Sequence, residues 1–261
     1  MSLIKTPQEI ALLKCGGRIL SDTLREIRAA CVAGASTQAL DTIARMRFTE
    51  KGGTPSFLGY RMGGEGPAFP GALCISVNEE VVHGLPIPDR AIKEGDVVGL
   101  DIGMWFEGLA TDMATTVIVG AVSDRVQELV KDTRASLVAG LEAIKPGAWV
   151  HDISGAIEDA LKPKGYGIVR DLVGHGVGHA VHEEPQIPNF RDPRAPRVKL
   201  QPGMVLAIEP MITLGTWKVN VKDDGWTIVT ADKSMCAHFE VTIVVTQQGF
   251  ELVTPWPDLP L

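Results

Sequence analysis

Gly99-Leu-Asp-Ile-Gly-Met-Trp-Phe-Glu-Gly-Leu-Ala-Thr-Asp112 reads as the centre of a β-hairpin. Two apolar runs, 97–106 and 109–119, flank Glu107-Gly108, a plausible tight turn. With those two residues as the loop, Asp101 faces position 114 and Asp112 is its diagonal neighbour. With the turn one residue earlier, Asp101 faces Asp112 directly. Either register puts both aspartates on one face, because strand side chains alternate with period two. Like charges so placed cost roughly 0.2–1 kcal/mol unless compensated, and Asp is a poor strand residue. The pair therefore calls for a cation. Taken alone, however, the hairpin is better read as a solvated face that happens to carry two acids.

The surrounding composition is that of an ordinary globular chain. Of 261 residues, 45% are hydrophobic and 22% charged. A net charge of −7 argues against a nucleic-acid surface. No apolar run approaches the roughly 20 residues of a membrane span. The start, Met-Ser-Leu-Ile-Lys-Thr-Pro, lacks a signal peptide's basic start and apolar core, so a cytoplasmic protein is expected. Cys15, Cys31, Cys74 and Cys236 form no C-x-x-C pair and are expected to be free thiols.

Working outward, Thr6-Pro7-Gln8-Glu9 predicts a helix start with a capping box. Ile10, Leu13, Gly17, Leu20, Leu24 and Ile27 follow at helical spacing. A second helix, capped by Ser36 or Thr37, runs to Gly52-Gly53. Residues 54–72 read as a loop, 73–77 as a strand, and 81–86 as a short extended piece. After the hairpin the pattern returns, with helices over 126–144 and about 151–161. Gly34-Ala35 … Lys51-Gly52 matches Gly147-Ala148 … Lys164-Gly165 at an offset of 113. Gly95–Asp101 matches Gly203–Glu209 at 108, aligning Asp101 with Glu209. A weaker match sets Asp112 against Glu240. The chain thus reads as two related α+β halves, about 1–122 and 123–261. An approximate two-fold axis would bring Asp101, Asp112, Glu209 and Glu240 into one cleft. Uncompensated anions cannot share a low-dielectric site, so metal ions become the expected occupants.

Gly174-His-Gly-Val-Gly-His-Ala-Val-His-Glu-Glu-Pro185 carries three of the six histidines. Its glycines argue against a helix, so His175 and His179 are not an H-E-x-x-H zinc pair. His175, Val177 and His179 alternate as on a strand; His182 has the opposite parity unless a turn re-aims it. His151, His179 and His238 read as structural. One imidazole with four carboxylates, and no sulfur, suits a divalent Mn, Fe, Co or Zn ion in a hydrolytic site. Four ligands able to bridge or chelate fit two ions.

L-D-I-G (100–103), T-D-M-A-T-T (111–116), G-H-G-V-G-H-A-V-H-E-E-P (174–185), A-I-E-P-M (207–211) and F-E-V-T-I-V-V-T (239–246) together resemble type I methionine aminopeptidases of the M24 metallopeptidase family. S-V-N-E-E-V-V-H-G-L-P (76–86) and D-G-W-T-I-V-T (224–230) are similar to that family too. The resemblance covers nearly the whole chain. It implies the pita-bread fold, a single catalytic domain over 1–261 with antiparallel sheet inside and helices outside. It also implies two divalent metal ions (Co, Mn, Fe or Zn), with Asp101 chelating one metal, Asp112 and Glu240 bridging, and His175 and Glu209 on the other. Glu209 is then the proton shuttle. His83 is placed beside the substrate amine and scissile nitrogen, and His182 on the scissile carbonyl. Phe57, Tyr60, Phe69, Cys74 and Trp226 resemble the lining of the methionine pocket. The loop Arg61–Ala68 is longer than the type I pattern, and Phe57 stands where a smaller residue is common.

The implied activity is removal of the initiator methionine from nascent proteins whose second residue is small. The implied partner is that N-terminal Met, with ribosome association open, no nucleic-acid motif, no membrane, and a monomer expected. The chain's own start, Met1-Ser2, fits that specificity. The alternatives are a proline-directed aminopeptidase of the same fold and a non-catalytic binding protein built on it.

Overall fold

The computed structural model describes residues 3–256, so Met1 and Ser2 lie outside it. Helix α1 spans Pro7–Ala30. Thr6 Oγ1 accepts from the Glu9 amide at 3.2 Å and the Thr6 amide donates to the Glu9 carboxylate at 2.7 Å, forming the capping box read from the sequence. Leu13, Leu20, Leu24 and Ile27 form its buried stripe. Helix α2, Thr37–Glu50, is capped by Ser36, whose hydroxyl accepts from the Ala39 amide. Helices α3, Asp124–Glu142, and α4, Val150–Leu161, repeat the arrangement.

The central hairpin pairs Val97–Phe106 with Leu109–Ile118. Glu107 and Gly108 both have positive φ, 50° and 79°, as a two-residue type I′ turn requires. Phe106 therefore faces Leu109, Asp101 faces Ala114, and Asp112 faces Gly103. Of the two registers open in the sequence, this is the one with Asp112 diagonal to Asp101. The counterpart in the second half pairs Val205–Ile208 with Val241–Val245. A reciprocal backbone pair, Ala114 with Glu240, stitches the two strand pairs together at 3.2 and 3.0 Å. The Thr242 hydroxyl reinforces the seam by donating to the Asp112 carbonyl.

The internal repeat extends to individual hydrogen bonds. The Ile92 amide donates to the Ala35 carbonyl at 2.8 Å, and at equivalent positions Leu200 donates to Ala148 at 2.9 Å. Thr37 donates to Arg90 and, equivalently, Val150 to Val198. Equivalent glycines share one conformation: Gly34 and Gly147 have φ of 87° and 85°, and Gly95 and Gly203 of 88° and 91°. Leu40 and Ile153, aligned by the 113 offset, are both fully buried. The four helices pack on the outside of these sheets over one large apolar core, which leaves the acids of both strand pairs facing a central cavity.

Candidate metal centre

The seam sets the acids. Asp101 and Asp112 project from the same face of the first hairpin. Glu209 follows Ile208 and Glu240 precedes Val241, at the ends of the second strand pair. His175 lies on a short strand, Gly174–Gly176, that pairs with Ala207. Gly176 is required there, because a Cβ would lie 2.2 Å from the Glu184 carbonyl oxygen. All five side chains line one cavity of about 400 Å³. Among the described residues, Asp112, His175 and Glu240 form the one cluster whose ligand atoms all lie within 4.8 Å of one another. Glu209 adds to it, with Oε1 3.3 Å from His175 Nε2. Asp101 lines the same cavity, and its charge raises the pKa of Asp112.

This is a costly assembly without a cation. Asp112 and Glu240 are 4% and 3% exposed. Asp101 Oδ1, Asp112 Oδ1 and Glu240 Oε1 are buried with no hydrogen-bond partner. Burial pushes the Asp101 carboxyl up to about 7. Burial first, and then the neighbouring carboxylates, hold Asp112 and Glu240 well above the usual range. Burial also raises Glu209. His175 is driven the other way, to about 3, by burial and by His182. It is neutral at physiological pH. Its Nδ1 donates to the Gly176 carbonyl at 2.9 Å, leaving an Nε2 lone pair on the acid cluster. Orphaned carboxylate oxygens beside a free imidazole lone pair are a donor set that divalent cations fit.

The opposite wall is apolar. Phe69 meets Phe57 edge-on at 6.3 Å and Trp226 at 5.2 Å. Tyr60 and Cys74 complete this wall. The 61–68 excursion does not displace Phe69, which is 2% exposed. Reciprocal backbone contacts hold its neck: the Phe69 amide donates to the Tyr60 carbonyl at 2.8 Å, and the Gly59 amide to the Phe69 carbonyl at 2.9 Å. The Trp226 indole N–H ties the far side by donating to the Pro67 carbonyl.

His83 has φ of 59°, a rare conformation for a non-glycine residue, and stands edge-on to Trp226. Burial, with His182 and His238 nearby, lowers it to about 4. His182 does join His175, ring centroids 4.5 Å apart. The strand ends at Gly176, and a turn through Gly178 reverses the parity that the sequence pattern assigned. His179 stays outside, bonded to Glu9 at 2.6 Å. His151 lines a separate surface cleft. His238 corrects the sequence reading: it lines the cavity, with Nε2 3.5 Å from Glu209 Oε2. Its signal was available, since residues 238 and 240 share a face of an extended chain.

Residues 11–247 match metallopeptidase family M24. The chain belongs to that family. Within M24, methionine aminopeptidase 1 of Bacillus subtilis is 43% identical over 255 residues, 97% of this chain and 99% of that protein. The crystal structure of methionine aminopeptidase from Thermotoga maritima superposes with a TM-score of 0.90 at 46% identity, covering 96% of this chain and 98% of that one. A prolidase from Pyrococcus furiosus shares the fold, with a TM-score of 0.76 at 22% identity; the match covers 97% of this chain and 65% of that one. Membership in M24 makes this chain a metal-dependent hydrolase, and the acid cluster is where its divalent metal fits.

Proposed function

We infer that this M24 peptidase removes the initiator methionine from nascent proteins whose second residue is small. The observation that carries the reading is one cavity with two unlike walls, buried unpaired acids on one side and edge-on aromatic rings on the other. The aromatic wall suits an unbranched thioether side chain. The acid wall suits the free amine and scissile carbonyl that follow it in the chain.

Asp101, Asp112, His175, Glu209 and Glu240 would hold two divalent ions of the Co, Mn, Fe or Zn class. Such ions supply Lewis acidity and make water nucleophilic at neutral pH. The chain's own groups do the rest. Glu209, its pKa raised by burial, is the group placed to take and return a proton. His83, neutral and with an unpartnered buried Nδ1, is available to the substrate amine and scissile nitrogen. His182 donates to the scissile carbonyl oxygen as it gains charge. Phe57, Tyr60, Phe69, Cys74 and Trp226 hold the methionine side chain. The whole chain acts as one catalytic domain, as a cytoplasmic monomer, on chains emerging from the ribosome. No helix among the described residues is long and apolar enough to cross a membrane.

The test is hydrolysis of Met-Ala, Met-Leu and Leu-Ala peptides before and after chelation. Cleavage of Met-Ala above the other two, abolished by chelator and restored by divalent metal, is expected. Equal turnover of all three peptides, or full activity after chelation, overturns the reading.

A further inference from the structure

His175 and His182 stand edge to face, and each has its Nδ1 engaged. The two partners differ in kind. The Gly176 carbonyl can only accept, so it fixes the His175 proton on Nδ1. The partner of His182 Nδ1 is the Tyr60 hydroxyl, 3.0 Å away. A phenol is a stronger donor than acceptor, and an unprotonated imidazole nitrogen is the better acceptor of the two. Burial lifts the Tyr60 phenol above its usual pKa, so it keeps its proton at neutral pH. His182 stands at the exposed mouth of the cavity.

Given His182 on the scissile carbonyl, as proposed above, we propose that Tyr60 is a positioning residue for it: the phenol donates to Nδ1 and thereby keeps the imidazole proton on Nε2, the nitrogen offered to the substrate oxygen. The two neighbouring histidines are thus locked as opposite tautomers. His175 presents a lone pair to the acid cluster. His182 presents an N–H to the substrate. With the tautomers exchanged, His182 would set a lone pair against a developing negative charge, the reverse of what the transition state needs.

Tyr60 is built to hold that orientation. Its amide donates to the Phe57 carbonyl at 2.9 Å and its carbonyl accepts from Phe69, so the backbone is clamped on both sides. Its ring packs against His182, centroids 5.6 Å apart, and against Trp226 at 6.4 Å. One residue therefore belongs to both walls: its ring to the methionine pocket and its hydroxyl to the group on the carbonyl. Filling the pocket with a methionine side chain would restrain the same ring that orients His182, which links recognition of the first residue to the rate of cleavage.

Tyr60→Phe separates the two roles, because it keeps the ring and removes the hydroxyl. In the metal-loaded enzyme with a Met-Ala peptide, kcat should fall roughly tenfold, the effect of one hydrogen bond, while KM stays within about twofold. Added to His182→Ala, the same change should cost less than about twofold more, because its effect acts through His182. In the zinc-loaded protein, histidine ¹⁵N resonances should show His182 Nδ1 unprotonated and Nε2 protonated. Tyr60→Phe should mix the His182 tautomers and leave those of His175 unchanged. A rise in KM with kcat intact, a tenfold loss that persists without His182, or a proton on His182 Nδ1 in the wild type each overturns the assignment. Wild-type protein that does not cleave Met-Ala counts against the proposed function instead, and the resonances still decide the tautomer.

Discussion

Glu80 and Glu240 are buried to nearly the same degree, 6% and 3% exposed, yet their surroundings differ in kind. Glu80 accepts from the Val77 amide at 2.8 Å, from Arg90 Nη1 at 2.9 Å and Nη2 at 2.5 Å, and from Lys222 Nζ at 3.1 Å. Burial would raise its pKa, but Arg90, the Val77 amide and Lys222 outweigh it, and the carboxyl lies below its usual value. Glu240 has an orphaned Oε1 and three acidic neighbours, and burial and those neighbours raise it. A buried carboxylate that the chain has already paired is part of the scaffold. One that the chain leaves unpaired, among others left unpaired, is waiting for a charge from outside. Degree of burial therefore does not identify the ligands; among the acids, missing partners single out Asp101, Asp112 and Glu240.

The sharpest way to break this contrast is to neutralise one acid of each kind. Glu240→Gln should lower activity on Met-Ala by roughly 10³-fold, the scale of several kcal/mol of lost charge stabilisation. The variant should stay folded by circular dichroism and bind less metal by elemental analysis. Full activity with full metal content would place Glu240 with Glu80. His182→Ala should lower kcat roughly 10²–10³-fold with metal content unchanged, since it loses a donor made for the transition state and not a ligand. Loss of metal from this variant would make His182 a ligand. Glu80→Gln should do the opposite: metal stays, and stability falls by roughly 1.5–3 kcal/mol as hydrogen bonds between charged groups are weakened. Denaturant unfolding measures it. An unchanged midpoint would contradict the scaffold role.

A smaller effect separates the two regions by the sign of their response to pH. Asp101 in the metal-free protein titrates at about 7 against an ordinary 3.8. Between those values the folded state holds a proton that the unfolded state does not, so stability falls as pH rises through that window. Glu80 is lowered from its ordinary 4.5, so its contribution is present above that value and is lost as pH falls through its folded pKa. His83 and His175, lowered from an ordinary 6.5 to about 4 and about 3, act the other way below 6.5, because there only the unfolded state protonates them. Above that value their effect is spent, so the thermal midpoint of chelated protein should decline as pH rises from about 6.5 towards 8, and divalent metal should raise it most at the upper end. A chelated protein that gains stability over that range would show that the acid cluster is already compensated.

Much of this arrangement is legible in the sequence because it is local or periodic. Strand alternation around Glu107-Gly108 puts Asp101 and Asp112 on one face in either register, the 108 offset pairs Asp101 with Glu209, and the weaker match pairs Asp112 with Glu240, before any packing is known. The His182 orientation is not legible in that way. Three strand residues followed by a turn are too short a pattern to carry a parity. His238 was readable by its spacing from Glu240, but a buried histidine is ordinary until its neighbours are seen. The Tyr60 hydroxyl contact joins residues 122 apart, and no pattern along the chain encodes it.

The central claim, that the unpaired acids await metal, is tested most directly by anomalous diffraction from crystals grown with manganese. Two peaks are expected in the cavity, within ligand distance of Asp101, Asp112, His175, Glu209 and Glu240, and none beside Glu80. Peaks confined to other surfaces, in crystals of enzyme that still cleaves Met-Ala, would contradict it.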